Sequence, residues 1–150
     1  METNFFAKLL NMLVTLILIL LIITFFTLPF LVDQYMKIEE VQITNTFTLK
    51  LFLYMTAIPF FVLLVMVKKL CKNILHNQVF SLSSITALNR ISVCAFVDFC
   101  LYIIGTFMIL RNLLSLTLMI AAFMIGLVGL ILAQLMKIAI ELKEENELTI

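Results

Sequence analysis

Four stretches that are uncharged or nearly so divide this chain, at 9–32, 51–67, 91–110 and 112–136. They are 24, 17, 20 and 25 residues long, and a helix crosses roughly 30 Å of hydrocarbon with about 20 apolar residues. Only helices and closed barrels satisfy their backbone hydrogen bonds in lipid. These runs are continuously apolar rather than alternating, so the chain reads as an all-α integral membrane bundle of four transmembrane helices. With 64% hydrophobic and 13% charged residues, a soluble domain of this size is excluded. What remains outside the spans is too little for a second core, so residues 1–150 form one domain, with a loop at 68–90 and a tail at 137–150. The first run is too long for the apolar region of a cleavable signal, and no small-x-small site follows it; it is expected to stay in the membrane.

Positive charges in short loops are retained on the cytoplasmic side. Lys8, Lys68, Lys69, Lys72, Arg90, Lys137 and Lys143 fall on one side of the four spans, and Lys37, Lys50 and Arg111 on the other, seven against three. Both termini are therefore expected in the cytoplasm. The second span is short, so Lys50 and Lys68 are expected to snorkel from its ends. Pro59, mid-span, removes a backbone donor and predicts a kink; Pro29 lies nearer a helix end.

Cys71, Cys94 and Cys100 form no disulfide framework, and no C-x-x-C pair supports a membrane oxidoreductase. They read as free thiols acting as small apolar groups. His76, near Cys71 but without further ligands, makes a poor zinc site and reads as a solvated loop residue. No nucleophile, base or metal cluster supports an enzyme, and no cofactor is implied.

Inside the spans two patterns stand out. Ala122, Gly126, Gly129 and Ala133 recur at spacings of four, three and four, a small-residue stripe that lets another helix, of this chain or of a second copy, approach closely. Asp98 is the only charge within a span. A carboxylate at the bilayer centre costs about 2.5–3.5 kcal/mol on insertion scales, so it is expected to turn inward, find hydrogen bonds and hold its proton. Ala95, Asp98, Tyr102 and Gly105 share one helix face, with Tyr102 one turn from Asp98, and Thr24 and Thr56 lie at comparable depth. Asp98 serves either as a neutral acid joining helices or as the coupling carboxylate of a small oligomeric transporter or channel.

The loop at 68–90 carries a helix start: Ser81 as cap, Phe80 and Ile85 as a hydrophobic staple. Leu82, Ile85 and Leu88 are then expected against the membrane interface, with Ser84, Asn89 and Arg90 toward water. This basic loop suits anionic lipid rather than direct contact with nucleic acid. The tail reverses the charge: Glu141, Glu144, Glu145 and Glu147 outnumber Lys137 and Lys143. It pairs Lys137 with Glu141 and Lys143 with Glu147 along a helix, and places Leu142, Leu148 and Ile150 in a segment too short to bury them alone.

The run NQVFSLSSITALNRI at 77–91 and the ending AIELKEENELTI at 139–150 resemble the two signature regions of the DUF2975 family of small bacterial four-helix membrane proteins. Phe80, Ser81, Leu88, Arg90 and Ile91 match in the loop, where Gln78 and Val79 stand in place of Asn-Pro and Ser83 and Ser84 leave the helix start without the usual acid. Glu144, Glu145, Asn146, Leu148, Thr149 and Ile150 match in the tail. The resemblance implies a multi-pass protein of the bacterial cell membrane with no assigned biochemical activity. Members are often encoded beside a small helix-turn-helix regulator, which implies a link to transcriptional control; the mixed acidic and apolar tail suits a small basic protein of that kind, so the chain is expected to regulate or tether a cytoplasmic partner through its basic loop and acidic tail. Glu144, Glu145, Glu147, Leu148 and Ile150 are the candidate contacts.

The charge asymmetry yields a direct test. A cysteine introduced at position 40 on a cysteine-free background is expected to react with a membrane-impermeant maleimide in intact cells. Reaction only after the membrane is opened would invert the topology.

Overall fold

The computed structural model describes residues 2–39, 45–110 and 113–148, and the side chains of 5–37, 45–109 and 113–146. Position 40, Arg111, Thr149 and Ile150, and the side chains of Glu147 and Leu148, lie outside the described residues. Four helices follow in order: α1 Glu2–Glu39, α2 Thr46–Leu75, α3 Leu82–Gly105 and α4 Leu113–Leu148, with a π-helical turn Thr106–Leu110 continuing α3. All four are long and apolar enough to cross a membrane. The chain is a multi-pass, all-helical membrane protein. The helices overrun the spans read from hydropathy. At about 1.5 Å per residue, the 30 residues of α2 run about 45 Å, carrying the helix past Lys50 and Lys68 at the two ends of its apolar run. Pro29 and Pro59 both lie within uninterrupted helix.

Each helix packs chiefly on its neighbours in sequence, α1 on α2, α2 on α3 and α3 on α4. Among the described residues, α1 and α4 share no comparable seam, nor do α2 and α4. The α1–α2 seam is apolar, with Val14, Leu18, Leu64 and Cys71 at one end and Leu28, Val32 and Leu49 at the other. The latter end is closed by a 2.7 Å ion pair from Lys50 Nζ to Asp33 Oδ1, so Lys50 reaches across to a partner rather than only outward. Cys71 is buried, and all three cysteines are free.

The α3–α4 seam is built on the absence of side chains. Ala122, Gly126, Gly129 and Ala133 are all buried, and they face α3 of the same chain. A Cβ on Gly126 would stand 3.0 Å from the Phe96 ring, and one on Gly129 would collide with Ser92 Oγ. Hydrocarbon gives helices no hydrophobic reason to associate, so close backbone approach and the dispersion it permits supply the adhesion. Phe123 fills the space beside the stripe, its ring 5.1 Å from that of Phe99 and 6.1 Å from that of Phe96. Between α2 and α3 the same device recurs at Gly105, where an added Cβ would enter the Phe52 ring.

The α2–α3 connection is tighter than its basic residues suggest. Leu75 ends one helix and Leu82 begins the next, leaving six residues rather than an open loop of 68–90. Asn77 adopts φ 55°, the left-handed geometry that Asn tolerates at a helix end. Its N–H donates to Ile74 O at 3.1 Å, and Gln78 N–H to Asn73 O at 2.9 Å. Ser81 caps α3 as expected, accepting from the Ser84 amide at 3.3 Å.

Gly126→Leu or Gly129→Leu is expected to lower the stability of the detergent-purified protein by about 1–3 kcal/mol, the usual cost of overpacking. Leu127→Phe, on the outward face at 36% exposure, should cost less. Equal thermal midpoints for the three variants would contradict the seam.

Candidate functional site

Small residues on α4 and the single intramembrane acid on α3 meet in one place. Asp98 is 5% exposed and lies on the floor of a cavity of ≈ 100 Å³ between α2, α3 and α4, with Phe60, Leu63, Tyr102, Leu118 and Ala122 among its walls. The cavity follows from the packing order: α3 sits centrally, and the α2 and α4 flanking it share no seam. Its walls are almost wholly hydrocarbon. The carboxyl group and the Tyr102 phenol are the chemistry available.

Tyr102 shares the cavity with Asp98. Its ring packs edge-on against Phe52, with centroids 6.0 Å apart. Thr56 is buried and donates its own proton to Leu53 O at 3.1 Å, leaving its oxygen as acceptor. Asp98 Oδ1 is buried with no hydrogen-bond partner among the described residues. A carboxyl group that joined helices would need a partner across the seam, because an unpaired buried polar atom costs about 1–3 kcal/mol. The hydrogen bonds expected from the sequence are missing at that oxygen. Thr24, at comparable depth, is on the exposed face of α1 and satisfies itself on Leu20 O at 2.9 Å. The Thr106 hydroxyl, at the start of the π turn, is likewise buried without a partner.

A second polar group ties the hairpin at the end of the molecule that carries the termini. Asn73 Nδ2 donates to Ser84 Oγ at 3.0 Å and lies 3.4 Å from Ser83 Oγ. Ser84 Oγ in turn meets Ser81 Oγ at 3.1 Å and donates to Gln78 O at 3.3 Å. Ser84 is fully buried and Leu88 is 4% exposed, which corrects the expectation that Ser84 faces water and Leu88 the membrane interface. The hydroxyl is held inside by Asn73, and Leu88 turns into the bundle, where its carbonyl lies under Gly129. Phe80 stays 63% exposed. Ser83 and Ser84 are the positions that depart from an acidic helix start, and the serines make this knot possible.

The tail is helical to Leu148 and exposed throughout 141–146. Lys137 and Glu141 approach to 3.9 Å on the surface; the expected Lys143–Glu147 pair falls outside the described side chains. Glu144 and Glu145 are exposed, and Leu142 is 57% exposed.

These residues match known sequences. The chain matches, over residues 33–150, the family described as "Protein of unknown function (DUF2975)". The chain belongs to that family. It is also similar to a protein of Bacillus subtilis (strain 168) named "Uncharacterized membrane protein YoaS", with 33% identity over 110 residues, covering 67% of this chain and 69% of that protein. No solved structure matches. The family match spans α2, the serine knot, the Asp98 cavity, the stripe and the tail, and leaves out most of α1, the helix that packs chiefly on α2.

Asp98→Asn is expected to insert and fold with stability within about 1 kcal/mol of the unmodified chain, since the amide keeps size and loses no hydrogen bond made by Oδ1. Asp98→Lys places a longer charged group in the cavity, at a cost of about 2.5–3.5 kcal/mol, and should reduce the yield of folded protein. Size-exclusion profiles and thermal midpoints in detergent measure both; equal behaviour of Asn and Lys would show that the side chain does not face inward.

Proposed function

We propose that this protein is a membrane tether that regulates a small basic cytoplasmic protein, such as a helix-turn-helix regulator, through its acidic helical tail. The observation that supports this reading is how α4 outruns its support. Ser92 lies under Gly129 and Phe96 under Gly126, a register that sets the first residue of α3, Leu82, level with about residue 140. From Glu141 onward α4 has no α3 alongside it. The twelve residues from Lys137 to Leu148 extend about 18 Å. They carry Glu141, Glu144 and Glu145 beside the apolar side chains of Ile138 and Leu142, both more than half exposed. Acids around an apolar strip complement a basic protein with an apolar anchor. Seven-to-three charge asymmetry puts this end in the cytoplasm. Lys68, Lys69, Lys72 and Arg90 of the hairpin favour anionic lipid headgroups.

A second reading, a small transporter or channel working through Asp98, is favoured by the unpartnered carboxyl oxygen in its cavity. Self-association for either role uses faces other than the small-residue stripe, which is occupied by α3.

Deleting residues 143–150 should leave insertion intact and release a membrane-bound regulator into the soluble fraction. Replacing Glu144, Glu145 and Glu147 with Gln should weaken capture and flatten its salt dependence, because exposed charges act over about 8–10 Å in physiological salt. Co-fractionation of the regulator unchanged by both alterations would move the contact to the basic hairpin. Absence of any cytoplasmic partner would remove the tethering role.

A further inference from the structure

We propose that the Asp98 cavity binds the head of a lipophilic monoamine, with the amine paired to the carboxyl group and its single hydrocarbon tail running out between α2 and α4. The inference rests on the second reading above only in using the same site; binding does not require transport. Three observations carry it. Asp98 is 95% buried by its 5% exposure, and its Oδ1 lacks a partner. The cavity it floors measures ≈ 100 Å³, smaller than the ~150 Å³ cavity that holds benzene, so a compact head fits and a whole drug-sized molecule does not. The rim is formed by residues that look outward, Phe60 at 41%, Leu118 at 42% and Ile125 at 46% exposure, so the cavity opens sideways toward the bilayer hydrocarbon.

The chemistry of the walls selects among ligands. Divalent metal ions want about six oxygen ligands, and the cavity offers one carboxyl group and one phenol. Anions would meet the carboxyl group with no cation beside it. A wholly apolar ligand would leave Oδ1 unpaired. An ammonium group fills that deficit through charge-assisted hydrogen bonds, and the Phe60 and Tyr102 rings lining the cavity are suitable neighbours for a cation. No net charge has to enter the bilayer. When a neutral amine meets a neutral acid, the carboxyl O–H bond breaks and its proton passes to the nitrogen lone pair. The resulting ammonium carboxylate carries the same total charge as the separate partners.

Octylamine, 1-octanol and octanoate added to the full chain in lipid nanodiscs test this, with thermal stabilisation and direct titration as readouts. Octylamine should raise the midpoint saturably. Octanol should bind about tenfold more weakly or worse, the ratio expected when a charge-assisted bond is lost, and octanoate should not bind. Asp98→Asn should erase the preference for amine over alcohol. Ala121→Phe, which fills the cavity from its exposed rim and leaves the carboxyl group in place, should abolish saturable binding of both. Equal affinity for amine and alcohol in the unmodified chain, octylamine binding unchanged by Asp98→Asn, or no saturable binding would each overturn the proposal. Should Asp98→Asn fail to fold, the amine-to-alcohol ratio and Ala121→Phe still decide it. Binding without amine flux in proteoliposomes would remove the transport reading and leave the site standing.

Discussion

Close backbone approach along α3 is the constraint on which the remaining arrangement depends. Water rewards helices for hiding apolar faces from it; lipid does not, because the tails are as apolar as leucine. Adhesion must then come from contact density, and contact density from the loss of Cβ atoms. Gly126 and Gly129 on α4 accept Phe96 and Ser92 of α3, and Gly105 of α3 accepts Phe52 of α2. α3 thus gives and receives on opposite sides and becomes the central helix. Among the described residues α2 and α4 are each held chiefly to it, and α1, whose apolar window is only 11% buried, is added mainly by α2, with Ile109 of the π turn at one end.

The same geometry determines which polar groups are satisfied. Hydroxyls on the spans mostly close on their own helix: Thr15 on Asn11 O, Thr24 on Leu20 O, Thr86 on Leu82 O, Ser92 on Leu88 O and Thr117 on Leu113 O. This back-bonding needs no neighbour and suits a lipid-facing surface. An aspartate has no proton to give in its charged form and a side chain unsuited to the turn above it. It depends on a second helix, and the gap between α2 and α4 denies it one. The α2–α3 register, fixed by Asn73 on Ser84 and by Phe52 beside Gly105, sets Asp98 level with about Pro59. Proline there lacks an N–H and thus offers no donor from the backbone.

Much of this was legible in the sequence because the relevant signals are local. Hydropathy locates the spans, the four-three-four spacing locates the α4 stripe, and Ser81 announces a helix start one residue before Leu82. What was not legible depends on which residues meet across helices. Ser84 reads as a polar residue on a basic loop, and only the position of Asn73 on the preceding helix makes it a buried one. Phe52 and Gly105 each look unremarkable; their pairing requires the α2–α3 register. Tyr102 lies one turn from Asp98 by periodicity, yet its ring packs on Phe52 of another helix. Clustering of Asn and Ser on both sides of a short turn was the available signal for the knot. Nothing comparable marks the π turn after Gly105.

A rigid hairpin at one end and an exposed stretch of helix at the same end have different mechanical consequences. The Asn73–Ser84–Gln78 bonds fix α3 against α2 where the chain turns, so any movement of α4 must occur against a stationary α3. The glycine stripe opposes it: Phe96 and Ser92 are seated on Gly126 and Gly129 with no room for a Cβ, so sliding would bring bulkier neighbours against them. Displacement of α4 along this seam would shift Leu118 and Ala122 relative to Asp98 at one level and move Glu141 through Asn146 at the other, since a single helix of 36 residues carries both. The cavity wall and the tail are therefore carried by one helix, and their positions relative to α3 are set together where Gly126 and Gly129 seat against Phe96 and Ser92.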